Sequence, residues 1–201
     1  MIFTIVKEPI PFLIIDNTYT KKEQVKIFRE LDFLSEKLLT PEQTGSAKNN
    51  KGEIKKNAGL FLDTLYDNRS VSDILTVNRK IFSQEVKDEV SKCHYAYNLY
   101  RRTNYDITLI SYYDDLSSYF SHTDNCLITS LTWFFKTPKN FTGGEFTFTD
   151  FNKQVELKNN RTVIFFGRFK HEVSEVKIKD KGVPFSGRFT ISQFSHIVNR
   201  K

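Results

Sequence analysis

Cysteine is scarce. The 201 residues include two, Cys93 and Cys126. That is too few for a disulfide framework, and no Cys-x-x-Cys pair offers zinc its usual spacing. Free thiols point to a reducing, cytoplasmic setting. No apolar run approaches the ~18 residues of a membrane span, so no membrane partner is expected. The opening Met-Ile-Phe-Thr-Ile-Val-Lys lacks the basic-then-apolar order of a secretory signal. Internal repeats and low-complexity tracts are missing, and so are blocks of like charge. The excess of basic residues, +6, is spread along the chain. Charge of this kind is compatible with nucleic acid or acidic substrates but names neither.

What is present is a moderate apolar content, 39%, unusually rich in rings: 19 Phe and 9 Tyr. Rings supply enough bulk for a packed core, and the length suits one domain. Pro11-Phe-Leu-Ile-Ile-Asp16 reads as a short buried strand. Asn17 to Thr20 then offers N-cap chemistry. Val25, Ile27, Phe28, Leu31, Leu34 and Leu38 recur mostly every three or four residues, which predicts an amphipathic helix over 21–39. Residues 41–58 are polar, basic and Gly-containing, and read as a solvated loop or lid. Residues 60–92 again read as helical.

After Cys93 the character changes. Short runs rich in Thr, Tyr, Phe, Ile and Val are separated by turn residues. They predict strands over 106–113, 119–124, 128–135, 145–151, 154–157, 162–166, 172–178 and 188–194. Many short strands without long intervening helices argue for a sandwich, jelly roll or barrel. The expected organisation is one domain, 1–201, mainly β with N-terminal helices (α+β). Its first part, 1–93, is an N-terminal strand with support helices, and 94–201 is the β-core.

Three residues in that core suggest chemistry. His122 and Asp124 stand two apart in a predicted strand and would share a face. His171 opens a later strand. Two histidines and one carboxylate that leave coordination positions open suit non-haem Fe(II). Taken alone, His-x-Asp is more often the pattern of a surface turn, and a lone His171 more often an exposed or satisfied histidine. Arg188 begins the last predicted strand and shares a face with Thr190 and Ser192. Facing inward it needs an anion, because an unpaired buried charge is costly; on an edge strand it would simply meet water.

Order and spacing tip the balance. Tyr113 and Tyr119 precede His122-Thr-Asp124. Gly143-Gly-Glu-Phe146 stands before a strand. Val163-Ile-Phe-Phe166 precedes His171-Glu-Val173, and Arg188-Phe-Thr190 closes the series. In this order the pieces resemble the prolyl 4-hydroxylase-like branch of the 2-oxoglutarate/Fe(II) oxygenase superfamily. The match is good over 106–196 and loose over 9–39.

The resemblance implies a double-stranded β-helix (jelly-roll, cupin-like) core. It implies iron held by His122, Asp124 and His171, and 2-oxoglutarate anchored by Arg188, with Thr190 assisting and Tyr113 as a further contact. It implies O2 as oxidant, succinate and CO2 as products, and ascorbate as a candidate reductant.

Two departures stand out. Leu116 occupies a place where the branch often has Gly, which predicts a different turn. His171 and Arg188 stand farther apart than in the branch, which predicts an extra hairpin over 177–185 and leaves Arg168 as a second candidate anchor.

Trp133 is a candidate for the pocket wall, and Cys126 reads as a small buried thiol. His94 and His196 receive no metal role. The substrate expected from the resemblance is a protein or peptide side chain, above all a prolyl residue. Lys48, Lys51, Lys55 and Lys56 in the 41–58 loop would favour acidic segments near it. A small molecule or free amino acid is the alternative. Nucleic-acid dealkylation is disfavoured because Phe194 stands where that branch has a second Arg. A metal-free binding module is disfavoured by retention of the ligand set, and a halogenase by the presence of Asp124.

Overall fold

Phe12–Asp16 is the nucleus of the N-terminal half because both of its faces find apolar cover. Strand β1 (Ile2–Val6) and strand β2 (Phe12–Asp16) form an antiparallel pair. Helix α1 (Lys21–Ser35) follows and is closed by a capping box in which Thr20 and Glu23 satisfy each other's backbone donors. Its buried stripe is Ile27, Leu31 and Leu34, whereas Val25 faces out. The computed structural model describes residues 1–44 and 52–199.

The segment read as helical from residue 60 begins as strand β3 (Ala58–Phe61). Gly59 fits there because a Cβ would lie 3.2 Å from the Ile110 carbonyl. Short helices α2 (Leu62–Leu65), α3 (Asp73–Val77) and α4 (Gln84–Ser91) then alternate with 3₁₀ turns.

The remaining strands are β4 (Tyr105–Tyr113), β5 (Tyr119–His122), β6 (Ile128–Phe134), β7 (Phe141–Gly143), β8 (Phe146–Phe148), β9 (Lys153–Val155), β10 (Arg161–Phe166), β11 (His171–Val173), β12 (Val176–Ile178) and β13 (Arg188–His196). They build a seven-stranded sheet in the order β1-β2-β10-β6-β13-β4-β3 and a four-stranded sheet β5-β11-β8-β9. A two-stranded ribbon β12-β7 completes the set. Every pairing is antiparallel.

The large sheet is buried on both sides, so β6 is buried at every residue. One face packs under α1 and α3 through Ile110, Phe134, Phe189 and Ile191. The α4 region covers Leu13, Ile15, Ile128 and Ile164. The other face meets the small sheet through Trp133, Val163 and Phe165 against Phe146, Phe148 and Val155. The molecule is therefore mainly β, two antiparallel sheets face to face with helices behind the larger one. No described helix is long and apolar enough to cross a membrane.

Two loops differ from expectation. The predicted strand 172–178 is broken into β11 and β12, which join different sheets. The segment after β12 is a loop and not a hairpin: Asn140 donates to the Asp180 carbonyl and the Ser186 hydroxyl, pinning it. Leu116 adopts a φ of 62°, the left-handed region that glycine favours.

Candidate metal centre

The cavity between the sheets receives side chains by strand alternation. From β13 it takes Arg188, Thr190, Ser192 and Phe194, and from β4 Leu109, Ser111 and Tyr113. The odd-numbered residues of β13, Phe189 and Ile191, go to the helix side. The small sheet contributes Tyr119 and His122 from β5, Phe146 from β8, and His171 and Val173 from β11.

His122 and His171 sit directly opposite each other in the β5–β11 pairing. Asp124 reaches them by another route than the expected alternation, because β5 ends at His122. The Asp124 N–H donates to the Gly167 carbonyl at 2.7 Å, and its carboxylate accepts from Thr129 at 2.6 Å. Gly167 is required at this crossing: a Cβ there would lie 2.7 Å from both the Cys126 carbonyl and its sulfur. Cys126 is thus buried beneath the site, in contact with Thr129.

One donor atom from each of His122, Asp124 and His171 falls within 4.8 Å of the others. The His122 Nε2 stands 3.7 Å from one Asp124 oxygen and the His171 Nε2 3.6 Å from the other. Each Nδ1 lies against a carbonyl two residues back, Phe120 at 2.9 Å and Phe169 at 2.8 Å. Donating there places the proton on Nδ1 and turns the Nε2 lone pair inward, as metal-binding histidines require. Burial drives both imidazoles toward the neutral form, to a pKa of about 4, with His171 adding to the effect at His122. Burial raises the Asp124 carboxyl. Neutral imidazoles beside one carboxylate can hold a divalent cation without displacing protons from nitrogen.

Arg188 is fully buried. Its Nε and Nη1 have no hydrogen-bond partner. Its guanidinium lies 4.9 Å from the Tyr113 ring centre and 5.4 Å from that of Trp133. Burial lowers its pKa to about 10, opposed by the charges of Tyr113 and Glu145. Glu145 itself is engaged by Ser174. The Thr190 hydroxyl beside Arg188 is likewise buried without a partner. A buried guanidinium and hydroxyl left open to one cavity fit a carboxylate. Tyr113 is buried, its phenol pushed to about 12.

Arg168 is exposed and bonded to Asn125, away from the cavity, so it offers no anchor. Trp133 backs Arg188 and is fully buried. His94 caps a 3₁₀ turn and His196 lies against Tyr105, both outside the site.

Lys55, expected as one of four lysines of a solvated loop, lies instead in the cavity wall. It is 5% exposed and lines the cavity, with Nζ 5.7 Å from the centre of Tyr119, which stacks on His122. Burial lowers its pKa to about 8, so it remains an ammonium at neutral pH. The burial rhythm offered a signal. Lys55 and Asn57 are buried and Lys56 exposed, so the alternation of β3 runs backward into the segment read as a loop. Lys48 and Lys51 lie outside the described residues.

No family model matches the chain, and no curated protein matches it. Solved structures do. A prolyl-4-hydroxylase from Pseudomonas putida aligns over 94% of this chain and 93% of its own, with a TM-score of 0.59 and 12% identity. A 2OG-Fe(II) oxygenase family oxidoreductase from Burkholderia pseudomallei aligns over 94% and 86%, with a TM-score of 0.59 and 12% identity. The viral collagen prolyl hydroxylase of Paramecium Bursaria Chlorella virus-1 aligns over 94% and 97%, with a TM-score of 0.50 and 14% identity. At such identities the likeness is one of fold.

Proposed function

We propose that this chain is an Fe(II)- and 2-oxoglutarate-dependent oxygenase of the prolyl 4-hydroxylase-like kind, built on a double-stranded β-helix. The observation that carries the reading is the coexistence, in one cavity, of a three-donor cluster and an arginine with no hydrogen-bond partner. The cluster fits iron(II), and the open guanidinium fits a dicarboxylate. The fold shared with prolyl hydroxylases supports the same reading. Residues 1–93 would support and edge the core, and 94–201 would supply most of the site.

The roles follow from the geometry. His122 Nε2, His171 Nε2 and the Asp124 carboxylate would hold the metal. The Phe120 and Phe169 carbonyls fix both tautomers, and Thr129 fixes the carboxylate rotamer. Arg188 would receive the far carboxylate of 2-oxoglutarate, with Thr190 donating beside it and Tyr113 walling the same end. Bound iron and 2-oxoglutarate supply the oxidising chemistry, in which O2 oxidises a substrate C–H bond to C–OH as 2-oxoglutarate yields succinate and CO2. Leu109, Leu131 and Phe146 give the cavity apolar walls and Arg188 is fully buried, which would strengthen its hold on an anion.

For the substrate, the fold likeness to prolyl hydroxylases favours a prolyl or other side chain of a protein or peptide. A vestibule of about 400 Å³ outside the cavity gives such a segment room. The alternative is a free amino acid or other small molecule, and Lys55 at the edge of the inner cavity would suit one that carries an acid group. The test is succinate formation from 2-oxoglutarate by purified protein with iron(II), with and without candidate peptides and amino acids. The proposal requires succinate that depends on iron and on 2-oxoglutarate, and a partner that gains one oxygen atom. Absence of both contradicts it.

A further inference from the structure

Lys55 is a second buried cation in the cavity, and nothing in the proposed reaction uses it. Among the described residues its ammonium makes no ion pair, and 95% of the residue's surface is covered while the nitrogen itself is not sealed off. A largely covered charge without a partner is retained at a cost unless something enters to meet it.

Its position says where that partner enters. The inner cavity, about 70 Å³, has room for roughly five waters, the space of one small dicarboxylate and not of a second molecule. The bulk of a substrate must therefore stay in the adjoining vestibule. Lys55, Tyr119 and Val173 line both spaces, whereas Arg188 lines the inner one alone. Lys55 thus stands at the threshold that the substrate crosses. The Lys56 N–H, bonded to the Ser118 carbonyl at 3.0 Å, fixes the backbone just beyond it.

Charge fixes the kind of partner. Among cavity-lining residues Asp124 supplies one negative charge, and Lys55 and Arg188 supply two positive. Iron(II) adds two positive charges and a 2-oxoglutarate dianion offsets two. One positive charge remains inside, on Lys55 at the threshold, whereas the vestibule beyond it is lined by Lys56 and by the carboxylates of Glu53, Glu172 and Glu175, so a carboxylate is favoured at Lys55 itself and not along the vestibule.

We propose that Lys55 is a specificity residue that binds a carboxylate of the substrate, placing the carbon to be oxidised a few bonds away toward His122. This deepens the functional reading above and rests on it. The carboxylate is either the α-carboxylate of a free amino acid or an Asp or Glu side chain of a peptide. A cation positioned this way discriminates against the neutral amide, whose carbonyl accepts from the ammonium but does not neutralise its charge.

The experiment measures binding without turnover, by equilibrium dialysis of the full chain with iron(II) and 2-oxoglutarate under anaerobic conditions. One arm uses free L-amino acids against their carboxamides. The other uses short proline-containing peptides with Asp or Glu against the same peptides with Asn or Gln. In the arm that holds the substrate, acids should bind at least tenfold tighter than amides. Lys55→Met should weaken the acid about tenfold to a hundredfold while leaving the amide and 2-oxoglutarate affinities unchanged. Lys55→Arg should retain most of the preference. A melting temperature of Lys55→Met at or above that of the parent protein shows that the fold is intact.

Acids and amides binding alike overturns the inference, as does no acid binding in either arm while iron and 2-oxoglutarate still bind. Loss of 2-oxoglutarate affinity in Lys55→Met overturns it too, because Lys55 then belongs to the cosubstrate. Failure of the parent protein to bind iron and 2-oxoglutarate removes the functional reading itself, a separate and recognisable result.

Discussion

Two buried arginines on the same sheet are treated in opposite ways. Arg161, on β10, is 6% exposed and fully engaged. It meets Asp16 through Nε and Nη2 at 2.7 and 2.9 Å and reaches Glu156 through Nη1. Arg188, on β13, is 0% exposed and meets only rings. The partners of Arg161 hold its guanidinium above its ordinary pKa and hold Asp16 below its own. Burial without a partner pushes Arg188 the other way, to about 10. A charge kept for the fold is paired within the chain; a charge kept for a ligand is left open. Lys55 belongs to the second kind.

Substitutions that exchange stability for binding sharpen this contrast. The largest effect is expected at the metal cluster. His122→Ala, Asp124→Ala and His171→Ala should each abolish iron binding and turnover while the melting curve stays cooperative. Anaerobic iron titration checks this, and full iron affinity in any one variant removes that residue from the ligand set.

Arg188→Met comes next. Losing a charge-assisted contact, worth about 1.5–3 kcal/mol, should weaken 2-oxoglutarate binding about tenfold to a hundredfold by calorimetric titration. Thermal stability should hold or rise, because an unpaired buried charge is gone. A large loss of stability instead would place Arg188 with Arg161.

Asp16→Ala should do the reverse. It strands Arg161 in the sheet and should cost about 1.5–3 kcal/mol in urea denaturation, with 2-oxoglutarate affinity unchanged. The smallest effect is a pH dependence. The Asp16 carboxyl is held below its unfolded pKa, chiefly by the Arg161 hydrogen bond. Its contribution is therefore present above the unfolded value, near 3.8, and lost as pH falls through the lower folded value. Arg161→Met should flatten that part of the acid limb of the stability curve, whereas Arg188→Met should leave it in place.

Much of this was legible in the chain. The period-two runs located most strands, and β4, β6, β10 and β13 match the expected spans to within two residues. That His122, Asp124 and His171 come together was legible, but the reason for their meeting was not. Alternation within one strand does not bring Asp124 to His122. A crossing with Gly167, distant in sequence, does. The split of 172–178 was hidden because both halves carry the same apolar rhythm, while sheet membership is set by partners elsewhere. Lys55 was hidden because lysine in a polar, Gly-containing stretch ordinarily means solvent. Only the adjoining strand β3, Ala58–Phe61, hints that the chain just before it is drawn inward.

The central claim, one cavity prepared for iron and a dicarboxylate together, is tested most directly by anaerobic visible spectroscopy. Iron(II) and 2-oxoglutarate added together should produce the charge-transfer absorption of an iron–2-oxoacid chelate, saturating at one equivalent of iron per chain. The absorption should be missing in His171→Ala and should need at least tenfold more 2-oxoglutarate in Arg188→Met. A parent protein that shows no such absorption at saturating 2-oxoglutarate, or an Arg188→Met titration identical to that of the parent, would contradict the account.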